Sequence, residues 1–223
     1  AFAGLIVGFL VFGVALQRTG GGRFFMDIAF GLLGHTRGGP AKVAIFGSAL
    51  MGSMSGSVIT NILTTGTLTI PAMQRTGFSR SYAAGIETCA STGAVLMPPI
   101  MGATAFVMAT FLEIDYAVIA LAAIVPSALY FLGLFVQIDA YAARKGLVGL
   151  PRADLPKLRR TLHEGWHYLL VFAVLIWMLL YLKREAVAPY YATAMLLVIN
   201  QLFPRNRWSW TDLVNFVGAV GRL

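Results

Sequence analysis

Apolar residues run along this chain in long blocks, separated by short polar breaks rich in glycine and basic side chains. Phe2 to Leu16 predicts the end of a spanning helix, stopped by QRTGGGR. Phe24 to Leu33 falls short of the roughly 20 apolar residues that a span needs. With Asp27 set among Phe24, Phe25, Ile28, Phe30 and Leu32 it predicts an interfacial helix. GHTRGGPAK reads as a loop, and Pro40 is placed to start the next helix. The stretch 41–73 is long for one span and is interrupted near its middle by Gly52, Gly56 and several serines. Two half-length helices meeting at a polar tip are expected, a re-entrant hairpin. Such a hairpin is tolerated at membrane depth only against protein or a water-filled cavity. A second interrupted span covers 82–109, where Pro98 and Pro99 remove two helical donors and restrict Met97. Residues 116–140 predict a clean spanning helix bent near Pro126. Segments 166–182 and 186–203 span again, with Trp166 and Tyr181 placed as interface anchors. Thr211 starts another helix, and the closing NFVGAVGRL reads as a hydrophobic segment cut short, so the chain is expected to be a piece of a larger protein.

Composition turns this pattern into a class. Of 223 residues, 58% are hydrophobic and 12% charged, against roughly 25% charged in soluble domains. The expected fold is an all-α integral membrane protein, because backbone in lipid must satisfy its own hydrogen bonds. The alternating ten-residue pattern of a barrel is absent. The net charge of +8 sits in short loops between apolar runs. That placement follows the positive-inside rule rather than a nucleic-acid footprint, so the basic loop 142–165 is assigned to the cytoplasm, with Arg205 and Arg207 on the same side. One cysteine, Cys89, excludes an internal disulfide. His163 and His167 read as a solvated pair at a membrane entry. No nucleophile elbow, phosphate loop, dinucleotide fingerprint or metal-ligand cluster stands out, and an enzyme is not expected.

Chemistry concentrates in GSMSGSVITNILTTGTLTIP, Gly52 to Pro71. Hydroxyls inside a membrane serve as packing glue beside small residues, a spacing that Gly52 and Gly56 fit, as do Gly4 and Gly8. They also bond back to helix carbonyls, or they line a site. The density between Ser53 and Asn61 favours a site, because a broken helix presents N–H groups at one end and carbonyls at the other. Ser91, Thr92 and Gly93, beside the proline break, supply a candidate second wall. Thr64 to Thr69 are expected to bond along the returning helix. An acid in a membrane segment is a functional candidate by default, but Glu87 lies about a turn and a half past Tyr82. It is read as interfacial and left outside the site. Arg75 and Arg80 read as loop anchors.

GGPAKVAIFGSALMGSMSGSVITNILTTGTLTIPAMQRTGF, followed by AAGIETCASTGAVLMPPIMGATAFVMA, resembles the large membrane (M) subunit of TRAP transporters, the tripartite ATP-independent periplasmic transporters. The GGPAK approach, the SGS tip at Ser55 to Ser57, the IPAM link and the ASTG-to-PP break occur in family order, in a variant similar to the TAXI-associated, often fused branch. The likeness is specific from about Gly38 to Ala109. It implies a multi-pass permease in a bacterial or archaeal inner membrane that imports organic acids with a sodium gradient, by an elevator-type motion. It implies a periplasmic TAXI-type binding protein and a small membrane (Q) domain or subunit as partners, with sodium as coupling ion and no other cofactor. Sodium or substrate contact is carried onto Ser53, Ser55, Gly56, Ser57, Thr60, Asn61, Ser91, Thr92 and Gly93, with sodium at Ser55, Ser57, Ser91 and Thr92. The family's second hairpin is not among these residues. A channel and a non-transporting assembly subunit remain the alternatives.

Overall fold

The computed structural model describes residues 2–202 and 208–221. Arg205 and Arg207 therefore lie outside the described residues. Among those described, the regular structure is all helical. In chain order it comprises α1 (Phe2–Arg18), α2 (Gly21–Leu33), α3 (Gly39–Ser55), α4 (Val58–Arg75), α5 (Arg80–Ala94), α6 (Ala103–Leu112), α7 (Tyr116–Lys145), α8 (Leu158–Leu180), α9 (Ala188–Leu202) and α10 (Trp210–Val220).

The helices gather round two apolar centres. Phe9, Phe12 and Leu16 of α1 pack with Phe24 and Phe25 of α2, Val171 and Leu175 of α8, and Leu196 of α9. Ala41, Ala44 and Ile45 of α3 pack with Met73 of α4, Ala83 and Ala90 of α5, and Ile138 and Ala142 of α7. Small residues dominate the second centre, which lets its helices approach closely, as in membrane bundles. Helix α2 is no free surface helix: Phe24, Phe25, Met26, Ile28 and Ala29 are buried, against α3 and α8.

Among the described residues two helical stretches, α7 and Arg152–Leu180, which includes α8, are long and apolar enough to cross a membrane. The thirty residues of α7 extend about 45 Å. Val118, Leu121, Val125, Leu129, Leu132 and Val136 stay exposed along it, a stripe at helical spacing suited to lipid. The helix continues past Ala140 to Lys145, and Gly146 ends it in the left-handed conformation at φ 64°.

Three expectations change. The basic stretch 142–165 is no continuous loop, since α7 and α8 take its two ends and only 146–157 lies between them. That connection is tied down: the Leu150 N–H donates to the Gly34 carbonyl at 2.9 Å. Next, the histidines are not a solvated pair. Gly165 leaves the helical conformation at φ −122°, which breaks the four-residue alignment. His163 stays exposed while His167 is buried, its ring 4.1 Å from that of Tyr168. Finally, the hairpin helices are longer than half a span. With 17 and 18 residues they extend about 25 and 27 Å. The polar run does not break α3, because Ser53 Oγ donates to the Leu50 carbonyl at 2.7 Å and continues the helix.

Candidate functional site: a hairpin tip and a polar seam

The reversal between α3 and α4 takes two residues. Gly56 adopts φ 59° and its N–H donates to the Gly52 carbonyl, closing α3. Only glycine holds this left-handed conformation without cost. Ser57 turns extended, and its side chain accepts from the Thr60 N–H at 3.4 Å, capping α4. Stop and start signals thus stand next to each other, and the two helices return alongside one another.

The tip docks on the break after α5. The Ile100 N–H donates to the Ser53 carbonyl at 3.3 Å, and the Gly102 N–H to the Val95 carbonyl at 3.0 Å. A Cβ at Gly56 would lie 2.4 Å from the Met101 carbonyl oxygen, so backbone meets backbone there. Met101 itself sits at φ 54°, a left-handed conformation uncommon for a residue with a side chain. Tyr116, at the start of α7, holds the break by donating to the Pro99 or Ile100 carbonyl, each at 2.7 Å. One turn below the tip, a Cβ at Gly52 would lie 2.0 Å from the Ala94 Cβ, so α3 and α5 touch through their backbones.

Beneath the tip runs a seam of polar side chains between α3, α4 and α5. Ser48, Asn61, Thr65, Thr69, Glu87 and Ser91 are all buried, Glu87 to 1% exposure. Thr65 Oγ1 is in hydrogen-bond contact with Glu87 Oε1, and Thr69 Oγ1 with Oε2. Ser48 and Ser91 lie 3.3 and 3.4 Å from Oε1. Asn61 Nδ2 donates to the Ser48 carbonyl at 3.1 Å, while Asn61 Oδ1 has no hydrogen-bond partner among the described residues.

The predicted residues therefore divide. Ser53, Gly56 and Ser57 form the tip, with Thr60 half-buried beside it. The side chain of Ser55 lies outside the described residues; its backbone ends α3. Asn61 and Ser91 turn into the seam. Thr92 is exposed and donates to the Thr88 carbonyl at 2.8 Å. Gly93 faces the Tyr130 ring of α7, 2.0 Å from where a Cβ would sit. The second wall facing the tip is thus the 95–102 break, not Ser91, Thr92 and Gly93 as a set.

Reading the sequence missed Glu87, which is buried rather than interfacial. Thr65 and Thr69 were likewise assigned only to their own helix; they bond back to the Asn61 and Thr65 carbonyls as expected but also reach Glu87. A signal was present. Ala83, Glu87, Ala90, Ser91 and Ala94 recur at helical spacing on the buried face of α5, and Asn61, Thr65, Thr69 and Met73 do so on α4.

The opposite end of the bundle holds charge differently. Asp139 of α7 pairs with both Arg37 and Lys42. On the side of the 95–102 break, Lys183 pairs with Asp115 and Glu185 accepts from the Tyr116 N–H at 3.0 Å. Burial there raises the Glu185 carboxyl above its ordinary range. Among the described residues no cluster of three or more His, Cys, Asp or Glu side chains forms a metal set.

Residues 1–222 match the model of the DctM component of the tripartite ATP-independent periplasmic transporters. The chain belongs to this family. It is 31% identical over 173 residues to the C4-dicarboxylate TRAP transporter large permease protein of Pseudomonas aeruginosa, covering 77% of this chain and 40% of that protein. It is 28% identical over 178 residues to the sialic acid TRAP transporter permease of Haemophilus influenzae, 79% of this chain and 28% of the relative. The 2,3-diketo-L-gulonate TRAP transporter large permease of Escherichia coli is 26% identical over 168 residues, 75% of this chain and 37% of the relative. The chain thus spans well under half the length of these relatives. Family membership makes it a membrane protein, and the relatives are named as transporter permeases rather than enzymes.

Proposed function

We propose that this chain is part of a sodium-coupled, binding-protein-dependent permease that imports organic acids, with the α3–α4 tip and the 95–102 break contributing one half of an ion and carboxylate site. The observation that carries the reading is the tip. At Gly56–Ser57 the carbonyl end of α3 and the N–H end of α4 meet against irregular backbone. Helix N-termini favour carboxylates, and helix C-termini with unwound carbonyls favour sodium. The substrates in the relatives' names, a C4-dicarboxylate, a sialic acid and a diketogulonate, are all acids.

In this reading the tip oxygens around Ser55 and Ser57 take sodium. Ser91 and Thr92 join them only if they give up their present bonds to Glu87 and Thr88. The seam ties the hairpin to α5, so α3, α4 and α5 move as one body past the α1, α2, α8 and α9 group in an elevator-type step. The hairpin enters and leaves beside the basic end of α7, where Gly38 meets Ala142 and Gly77 meets Leu147. That end faces the cytoplasm, which makes the hairpin re-entrant from that side. The partners are a TAXI-type periplasmic binding protein and a small Q domain or subunit.

Uptake of acid by the full-length permease and its binding protein, reconstituted in liposomes, tests this. Ser57→Ala is expected to lower uptake and shift its sodium dependence to higher concentration; uptake unchanged at every sodium concentration removes the tip from the site. Orientation is checked separately with Arg152→Cys in a Cys89→Ser background. Impermeant thiol reagents added outside intact cells should leave position 152 unlabelled, and ready labelling reverses the orientation.

A further inference from the structure

Glu87 is the one acid of the α3–α5 bundle's interior, and its surroundings raise the question of what balances its charge. An ionised carboxylate without a counter-ion is costly to bury. The cations on the elements packed against α5 are placed elsewhere. On α3 the candidate is Lys42, and it is committed to Asp139. On α4 it is Arg75, exposed at the C-terminus. Arg80, on α5 itself, lies about two turns below Glu87 and is exposed. Helix α7 offers Arg144 and Lys145 in its last turn, more than a turn beyond the ion pair at Asp139. The other titratable groups are occupied or turned away. Tyr130 donates to the Cys89 carbonyl at 2.8 Å, Tyr141 stacks on Tyr82 at 3.9 Å, and Cys89 is exposed. What touches the Glu87 carboxyl is hydroxyl: Thr65, Thr69, Ser48 and Ser91.

Counting protons points the same way. A hydroxyl has one proton to donate. Thr65 Oγ1 lies between Glu87 Oε1 and the Asn61 carbonyl, 2.8 Å away. Thr69 Oγ1 lies between Glu87 Oε2 and the Thr65 carbonyl, 3.0 Å away. If both threonines bond back along α4, as threonines in membrane helices do, Oε2 has no donor and Oε1 keeps only Ser48 and Ser91, at 3.3 and 3.4 Å. One additional proton on Glu87 completes the set: Oε2–H donates to Thr69, Thr69 donates to its helix carbonyl, and Thr65 donates to Oε1. A proton needs no cavity, and the hydroxyls already stand in direct contact with both carboxyl oxygens.

We propose that Glu87 is a proton-carrying group of this permease, neutral while α3, α4 and α5 are packed as here and move as one body, and ionised when, at either end of that movement, α4 parts from α5 and water reaches the seam. The proton leaves to water on whichever side the seam opens, and the carboxylate left behind takes a new one before the helices repack. Proton coupling through Glu87 goes beyond the sodium and carboxylate site at the tip. Its transport consequence rests on the importer reading; the protonation itself does not.

Two measurements test it on the full-length permease. Infrared difference spectroscopy of the purified protein in lipid at neutral pH should show a protonated-carboxyl C=O band that Glu87→Gln removes and Glu87→Asp shifts. A band unaffected by both substitutions, or a loss confined to carboxylate bands, overturns the proposal. The amide of Glu87→Gln can accept and donate from the same place, so this variant is expected to fold; if it does not, the shift in Glu87→Asp decides. In liposomes at fixed sodium, an inward proton gradient should raise wild-type uptake several-fold and leave Glu87→Gln uptake unchanged. Equal stimulation of both, or none in the wild type, overturns coupling through Glu87. Absence of uptake under any gradient counts against the importer reading instead, and the infrared result then stands alone.

Discussion

Asp139 and Glu87 both meet α3, and the bundle treats them in opposite ways. Asp139 lies toward the basic end of α7 and is answered by charge, with Arg37 and Lys42 on one carboxylate. The Lys42 side chain is only 7% exposed, and its ammonium lies 4.9 Å from the Phe135 ring centre. Six residues further along α3, about 9 Å by helical rise, Ser48 faces Glu87, which is answered by hydroxyls alone. An ion pair near a surface locks two elements at one position and is screened by salt. A hydroxyl-lined acid holds three helices together while leaving its charge open to exchange with water. The difference separates an anchor from a part that can change state.

The largest effect should come from forcing the seam apart while leaving the anchor alone. Gly52→Leu places a side chain where the Ala94 Cβ already sits. It should cost about 3 kcal/mol, the upper range for overpacking, seen as a lower melting temperature in detergent or lipid. A variant as stable as wild type would mean that α3 and α5 are not in contact through Gly52.

Next comes removal of the two threonine hydroxyls at Glu87. Thr65→Val with Thr69→Val should cost about 2 kcal/mol or more, because a buried polar group loses its partners. Adding Glu87→Met should recover part of that loss, since the acid and its two nearest partners then go together and only Ser48 and Ser91 are left behind. Additive losses in the triple variant would show that the seam does not act as a unit.

Breaking the anchor is expected to matter less, and differently. Asp139→Asn should lower thermal stability in low salt, with the gap to wild type narrowing as salt rises, because Arg37 and Asp139 are part-exposed. A salt-independent loss would contradict the picture of a screened surface pair. Smallest of all is Thr92→Val, at the exposed face of α5, which should stay within about 0.5 kcal/mol of wild type. Its neighbour Ser91→Ala, inside the seam, should exceed it; equal effects would erase the distinction between the two faces.

The hairpin was legible because its signals are local. Gly56 is needed for the left-handed stop and Ser57 supplies the cap, and both act within four residues. The break at Pro98 and Pro99 was legible for the same reason. The lengths of α3 and α4 were not, because the serines that look like breakers bond back to their own helix, as Ser53 does. Adjacent candidates such as Ser91 and Thr92 could not be separated by residue type. They stand on different faces of one helix, one turned to Glu87 and the other exposed.

By itself the sequence determined the all-helical membrane class, the reversal at Gly56–Ser57 and the family, because these follow from composition and from interactions within a turn or two. Only the tertiary structure decided which face of α5 is buried, that Glu87 lies among hydroxyls of three helices, and that Lys42 answers Asp139 instead. Apart from Ser91, on Glu87's own helix, those partners are 18 to 97 residues apart. Their meeting depends on how closely small residues let the helices approach, which no single helix specifies.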